Sequence, residues 1–315
     1  MTDVPGPVVA ADAAPPRWWD SDLAHAFRTS PFAMVAALVT ILLVFAAVFA
    51  PLIAPVDATN PATANVVDAR LPPGSVGLFG DRYLLGTDPQ GRDLLSAILY
   101  GLRLSMFVGI ASVTVATVVG IALGLIAGYF GGLVGNVIMR LADVQLSFPA
   151  ILIALLIDGV SRTLVDRATH ERAAVSIIVL AIAATYWVQY ARTVRGLVLI
   201  ERDKDYVLAA RITGVGALRI LLTHILPNVL GPVLVIATIN LALAILTEAT
   251  LSFLGVGIPP TQPSLGSLVR VGNEFLFSGD WWITILPGVV LVVLSLAVNV
   301  LGDWLRDALN PRLAT

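Results

Sequence analysis

The feature that most limits this chain is the run from position 104 to position 139, which contains no Asp, Glu, Lys or Arg. A charge-free stretch of that length has no polar face with which to meet water. A bilayer core about 30 Å thick needs roughly 20 apolar residues per helical span, so the run is too long for one span and Gly131, Gly132 and Gly135 are its natural dividers. The predicted spans are 32–54, about 103–128, about 136–158, 173–191, about 227–254 and 282 to about 301. The fold class that follows is all-α, a polytopic membrane bundle of six transmembrane helices, because backbone polar groups in lipid must be satisfied internally and the alternation of a membrane barrel is missing. Composition agrees: 57% of residues are hydrophobic and 13% charged, against about 25% charged in soluble domains.

Six spans place both termini on one side. Of the 19 Lys and Arg residues, eleven fall on that side, and six of these crowd between spans four and five: Arg192, Arg195, Arg202, Lys204, Arg211 and Arg219. The positive-inside rule makes that side cytoplasmic. The parts are then a cytoplasmic tail with an interfacial helix (1–30), the first span (31–54), an extracytoplasmic loop (55–102), a transmembrane core (103–303) with a cytoplasmic loop at 196–226, and a cytoplasmic tail (304–315). The segments 159–172 and 255–281 are expected outside, the charged stretch from Arg162 to Arg172 as an external loop. Trp18, Trp19, Leu23 and Phe27 predict the interfacial helix, and Trp281 with Trp282 a second interfacial anchor. Gly120, Gly124 and Gly128 form a small-residue stripe on span two, suited to close packing within the bundle or against a second chain.

Several chemistries are excluded. With no cysteine, thiolate metal sites and thiol nucleophiles are impossible. The only lysine, Lys204, follows Asp203 and lies in no glycine-rich loop, so the chain has no phosphate-binding loop of its own. The net charge of −2 gives no reason to expect nucleic acid. Neither a zinc-protease motif nor a serine-nucleophile elbow occurs, and an enzymatic role is not expected. Glu248, deep in span five, is a candidate for the translocation path or for a hydrogen-bonded position inside the bundle.

The segment from Glu201 to Asn228 carries the most information. Charges open it, a small-residue helix covers Leu208 to Ile212, Gly214 supplies a left-handed stop, and a second helix resumes near Ala217. A short helix of this kind between two spans suits either docking to another protein or a plain connector.

This loop, with Ala209, Ala210 and Gly214 in register, resembles the EAA motif of binding-protein-dependent ABC-importer permeases. Leu85-Gly86-Thr87-Asp88 with Gly91-Arg92-Asp93, then Gly128-Tyr129-Phe130-Gly131-Gly132, Thr247-Glu248-Ala249 with Leu251-Ser252-Phe253-Leu254-Gly255, and Leu301-Gly302-Asp303-Trp304 resemble, in order, the dipeptide/oligopeptide (DppC/OppC-type) permeases. The resemblance implies a type I ABC-importer permease in the bacterial inner membrane. It also implies a second DppB/OppB-type permease, two DppD/DppF-type ATPases that bind ATP and Mg, and an extracytoplasmic substrate-binding protein. This chain itself would hold no cofactor. Leu208, Ala209, Ala210, Arg211, Gly214 and Arg219 would couple to an ATPase, with His224 and Asn228 locking the loop onto span five. Asp88, Arg92 and Asp93 would either meet the binding protein or form a structural salt bridge and helix cap. One departure stands out: Leu208 occupies the position of the motif glutamate. The cargo implied is a dipeptide or oligopeptide, the alternatives being glutathione, haem or a nickel chelate on the same machinery. A reading outside this class is an ion-coupled secondary transporter.

Overall fold

A computed structural model describes residues 22–256, 258–259 and 261–308. Helix α1 (Asp22–Thr29) precedes α2 (Pro31–Val48) and the short α3 (Ala50–Ile53), which together make the first span. Ser30 caps α2 by accepting a hydrogen bond from the Ala33 N–H. Phe27 of α1 packs edge-on against Trp304, with ring centroids 5.1 Å apart, so this short helix rests on the far end of the chain. Trp18 and Trp19 lie outside the described residues, as does the tail from 309.

Between α3 and α4 lies an irregular loop whose β1 (Ser75–Val76) and β2 (Arg82–Tyr83) pair antiparallel. Helix α4 (Leu94–Phe130) then runs for 37 residues, starting well before the predicted position because Asp93 caps it: its carboxylate accepts from the Ser96 N–H at 2.8 Å. At the other end Gly131, with φ +61°, turns the chain into α5 (Gly132–Leu146), the break expected from the glycine pair.

The third span is not one straight helix. It is α5 followed by α6 (Ala150–Leu164), bent by 93° across a short break at Ser147 to Pro149. Pro149 has no N–H for a continuing helix and disfavours helical backbone at the residue before it. Among the described residues five helical segments are long and apolar enough to cross a membrane, and the bent pair makes the sixth. The stretch from Arg162 to Arg172 is likewise no open loop. Helix α6 runs into it and α7 (Arg167–Glu201) begins after only Val165 and Asp166, with Asp166 as cap.

Beyond α7 come α8 (Asp205–Ile212), α9 (Ala217–Arg219), a π-helical turn over Ile220–Ile225 and α10 (Leu226–Phe253). The wide turn precedes Pro227, whose ring would otherwise meet the carbonyl four residues back. Helices α11 (Leu265–Asn273) and α12 (Trp282–Ala308) complete the bundle.

The glycine stripe packs α4 on α7 within the chain. A Cβ on Gly120 would stand 2.4 Å from Tyr190 Cβ, and one on Gly124 or Gly128 would stand 2.7 Å from Val194 or Val198 Cβ. Where no hydrophobic force distinguishes a helix neighbour from lipid, such backbone proximity supplies the van der Waals contact that holds two spans together. Trp282 is a core residue rather than an interfacial anchor: it is 7% exposed and packs with Leu94, Leu265 and Ile283, whereas Trp281 is half exposed.

Candidate functional site

The loop between α7 and α10 is built to hold one short helix firmly by one face. Arg202, the residue after α7, donates to the Gly128 carbonyl at 2.9 Å, so a carbonyl that the end of α4 leaves without a helical partner is satisfied by the end of α7. In α8, Asp205 occupies the first turn and Arg211 the last, each favourable to the helix dipole. The Arg211 guanidinium also lies 4.7 Å from the centre of the Tyr129 ring. At the end of α8 the Gly214 N–H donates to the Arg211 carbonyl and the Val215 N–H to the Ala210 carbonyl, both at 3.0 Å, with Gly214 at φ +79°. This is a Schellman stop, and it satisfies two carbonyls that the helix end would otherwise orphan.

Val207 and Ala210 face inward, into a cluster with Val198, Ile220 and Ile225. Leu208 and Ile212, one helical turn apart, face outward at 40% and 87% exposure, and Leu218 joins them at 70%. Ala209, Arg211, Gly214 and Arg219 are exposed on the same loop.

A polar clasp fixes this loop to the two long helices. The Glu201 carboxylate accepts from Lys204 Nζ at 2.6 Å and from the Tyr206 hydroxyl. Asn228 Nδ2 donates to Tyr206 Oη at 2.9 Å and to the His224 carbonyl at 2.8 Å, and the Tyr206 and His224 rings stack. Lys204 holds its proton more tightly beside Glu201, and the Tyr206 hydroxyl is pushed up by burial and by the same carboxylate. His224 and Asn228 thus have the locking positions expected of them. Tyr206, the centre of the clasp, carried no sequence signal beyond its place four residues before Ala210.

Asp88, Arg92 and Asp93 come together in the loop before α4, and all three are buried. Asp88 Oδ1 accepts from the backbone N–H groups of Gln90 and Arg92, and its Oδ2 meets Arg92 Nε and Nη2 at 2.7 Å. Asp93 spends its carboxylate on the Ser96 hydroxyl and N–H at the start of α4. Of the two roles weighed for these residues, the salt bridge and the helix cap are the ones the geometry displays. Asp68, which the sequence reading passed over, organises the same loop. It accepts from the Leu78 N–H, from Asn65 and from Tyr83, whose hydroxyl is pushed up to about 12 by burial and by the Asp68 charge.

Glu248 is fully enclosed, and its Oε1 accepts from the Ser252 hydroxyl at 2.7 Å, while Ser105 and Ser264 present hydroxyls to the same carboxyl.

Comparison with known proteins places these features in a family. The model of the binding-protein-dependent transport system inner membrane component matches residues 120–315, and that of the N-terminal TM domain of oligopeptide transport permease C matches residues 18–73. The chain is 39% identical over 254 residues to the dipeptide transport system permease protein DppC of Haemophilus influenzae, covering 81% of this chain and 82% of that one. It is 40% identical over 233 residues to the di/tripeptide permease DppC of Pseudomonas aeruginosa, covering 74% and 73%. With the oligopeptide permease OppC of Mycobacterium bovis the identity is 36% over 233 residues, covering 74% and 77%. Among solved structures, the inward-facing MetNI methionine ABC transporter aligns with a TM-score of 0.51 at 17% identity, over 68% of this chain and 96% of that one, a likeness of fold. The chain belongs to the family of binding-protein-dependent transport system inner membrane components.

Proposed function

We propose that this chain is one of two channel-forming subunits of an ABC importer that brings dipeptides or oligopeptides into the cytoplasm. The observation that carries the reading is α8: a short helix clasped to the ends of two spanning segments, with Leu208, Ile212 and Leu218 left uncovered. An apolar face on a charged loop is suited to a partner's groove, and the clasp makes any movement of that helix a movement of α7 and α10. A pair of partner ATPases binds ATP and Mg, and a second, DppB/OppB-type permease completes the channel. Ala209, Ala210, Arg211, Gly214 and Arg219 transmit the force. Asp88, Arg92 and Asp93 hold the outer loop in the shape that meets a substrate-binding protein. The peptide cargo is supported by the names of the relatives, and the cytoplasmic placement of both termini by the basic cluster around α8.

Two experiments test this. The chain is purified with the products of its neighbouring genes: an ATPase and a second permease stay bound, and the neighbouring binding protein carries peptide by mass spectrometry. Glutathione, haem or a nickel chelate in that position replaces the cargo, and loss of every ATPase removes the importer reading. Single cysteines in this cysteine-free chain test orientation. One at Phe277, 99% exposed, reacts with an impermeant reagent in intact cells, and one at the exposed Thr213 only after permeabilisation. The reverse pattern inverts the topology.

A further inference from the structure

The break between α5 and α6 sits against the middle of α7. The Gln145 side chain donates to the Ala184 carbonyl and accepts from Trp187 Nε1 at 2.7 Å, and residues 184–187 lie halfway along a 35-residue helix. Ser147, Phe148 and Pro149 in the break are exposed on this chain. Non-helical backbone at membrane depth is not found facing lipid; it lines a water-filled path or is covered by protein.

Polar side chains of α5 and α7 stand beside the break, among the exposed apolar Leu146 and Phe148. A cavity of about 420 Å³ opens there, its wall including Leu146, Thr185, Tyr186, Gln189 and Arg192. The Arg192 guanidinium pairs with the Asp143 carboxylate, and the two side chains remain 46% and 52% exposed. The Tyr186 hydroxyl lies 3.0 Å from Thr247 Oγ1, which extends the polar surface to α10. One cation, one anion and several amide or hydroxyl groups thus share one face beside a broken span. Sequence alone uses Arg192 only to orient the chain.

The geometry points to this surface as a peptide-recognition subsite of the translocation path, in which Arg192 takes the peptide's terminal carboxylate and Asp143 its terminal ammonium. This rests on the peptide reading above. A zwitterionic peptide offers both charges a few ångströms apart, and an ion pair already in contact exchanges one partner for another without baring a charge. Gln189 and Thr185 offer hydrogen bonds to the amide between the ends. The cavity volume falls in the range of small-ligand sites, about 300–1,000 Å³.

The test uses the complete transporter with its binding protein, reconstituted in vesicles. Uptake KM is measured for Ala-Ala, its C-terminal amide and its N-acetyl derivative, with wild type, Arg192→Gln, Arg192→Lys and Asp143→Asn. The readout is the ratio of KM values within each variant, relative to the same ratio in wild type. General loss of fold and the binding protein's own preference both cancel from it. Arg192→Gln raises KM for Ala-Ala about tenfold while leaving the amide little changed, as loss of a charge-assisted hydrogen bond implies. Asp143→Asn does the same relative to the N-acetyl derivative, and Arg192→Lys restores most of the preference. Equal effects on all three peptides would assign the pair to contact with the second permease and overturn the subsite. Unchanged ratios would overturn it too. A wild-type complex that hydrolyses ATP yet takes up none of these peptides removes the peptide reading, and the subsite with it.

Discussion

Two loops flank the bundle and fix their shapes with differently placed polar groups. The loop before α4 buries one set of charged groups: Asp68, Asp88, Arg92 and Asp93 are each 6% exposed or less, and the hydrogen bonds of the three carboxylates stay within the segment and the first turn of α4. The loop after α7 keeps its polar clasp partly open to water and leaves Leu208, Ile212 and Leu218 uncovered. The first segment is pinned from within by those charges, and it too leaves apolar side chains uncovered, among them Val66, Leu78, Phe79 and Leu84. The second is a surface waiting for a complement, held rigidly enough that what pushes on it moves two spans.

The comparison predicts unequal responses to substitution. The largest effect is expected from Asp88→Ala, which removes two backbone hydrogen bonds and the charge opposite Arg92 in a buried setting. Breaking a buried ion pair from one side costs about 3–5 kcal/mol. The outer loop then opens to protease in the detergent-solubilised complex, while Ala substitution at exposed Arg219 leaves that pattern intact. Equal protease resistance in the two variants would show that the outer loop does not depend on its buried charges.

Gly214→Val comes next. No atom lies within 4 Å of the site where its Cβ would stand, so the penalty is backbone strain alone, at φ +79°. A left-handed position costs an ordinary residue roughly 1–2 kcal/mol, more when it is β-branched. The chain is expected to reach the membrane, but its complex to hydrolyse ATP without matching uptake, the two measured together in vesicles. Normal coupling would detach α8 from energy transfer.

Leu208→Glu sharpens what kind of surface α8 presents. If the complementary groove is apolar at this point, the glutamate buries a charge and substrate-stimulated ATP hydrolysis falls or at best stays level. A clear gain would show a polar groove, where a donor lacking its acceptor costs about 1–3 kcal/mol. The smallest effect concerns pH. Tyr83 ionises at about 12 in the folded loop, against 10.0 for a free side chain, because burial and Asp68 oppose the tyrosinate. A raised value stabilises the fold fully below pH 10 and is lost as pH climbs toward 12. Protease protection of the loop therefore fades across that window in wild type and less so in Tyr83→Phe.

Much of this was legible in one dimension. A charge-free run announces a span because lipid is a uniform solvent, and a helix answers it residue by residue. Gly131 and Gly214 announce breaks because φ is a local variable. The sequence therefore determined the number of crossings, the all-helical class, the α8 stop and, through its strings of motif residues, the family. It also marked the stripe of Gly120, Gly124 and Gly128 without saying which helix would fill it.

What only the tertiary structure decided was which way each polar group points and who meets it. Asp88 and Arg92 read equally as contacts for a partner or as a salt bridge until the loop folds over them, and Trp282 reads as a membrane anchor until α4 and α11 enclose it. Gln145 is unremarkable in sequence; it becomes the joint between a broken span and α7 through contacts with residues about 40 positions away. Asp143 and Arg192, 49 residues apart, become one ion pair. The reason is physical: hydropathy is a contract between a residue and its solvent, whereas burial, pairing and the 93° bend at Ser147 to Pro149 depend on distant parts of the chain arriving at the same place.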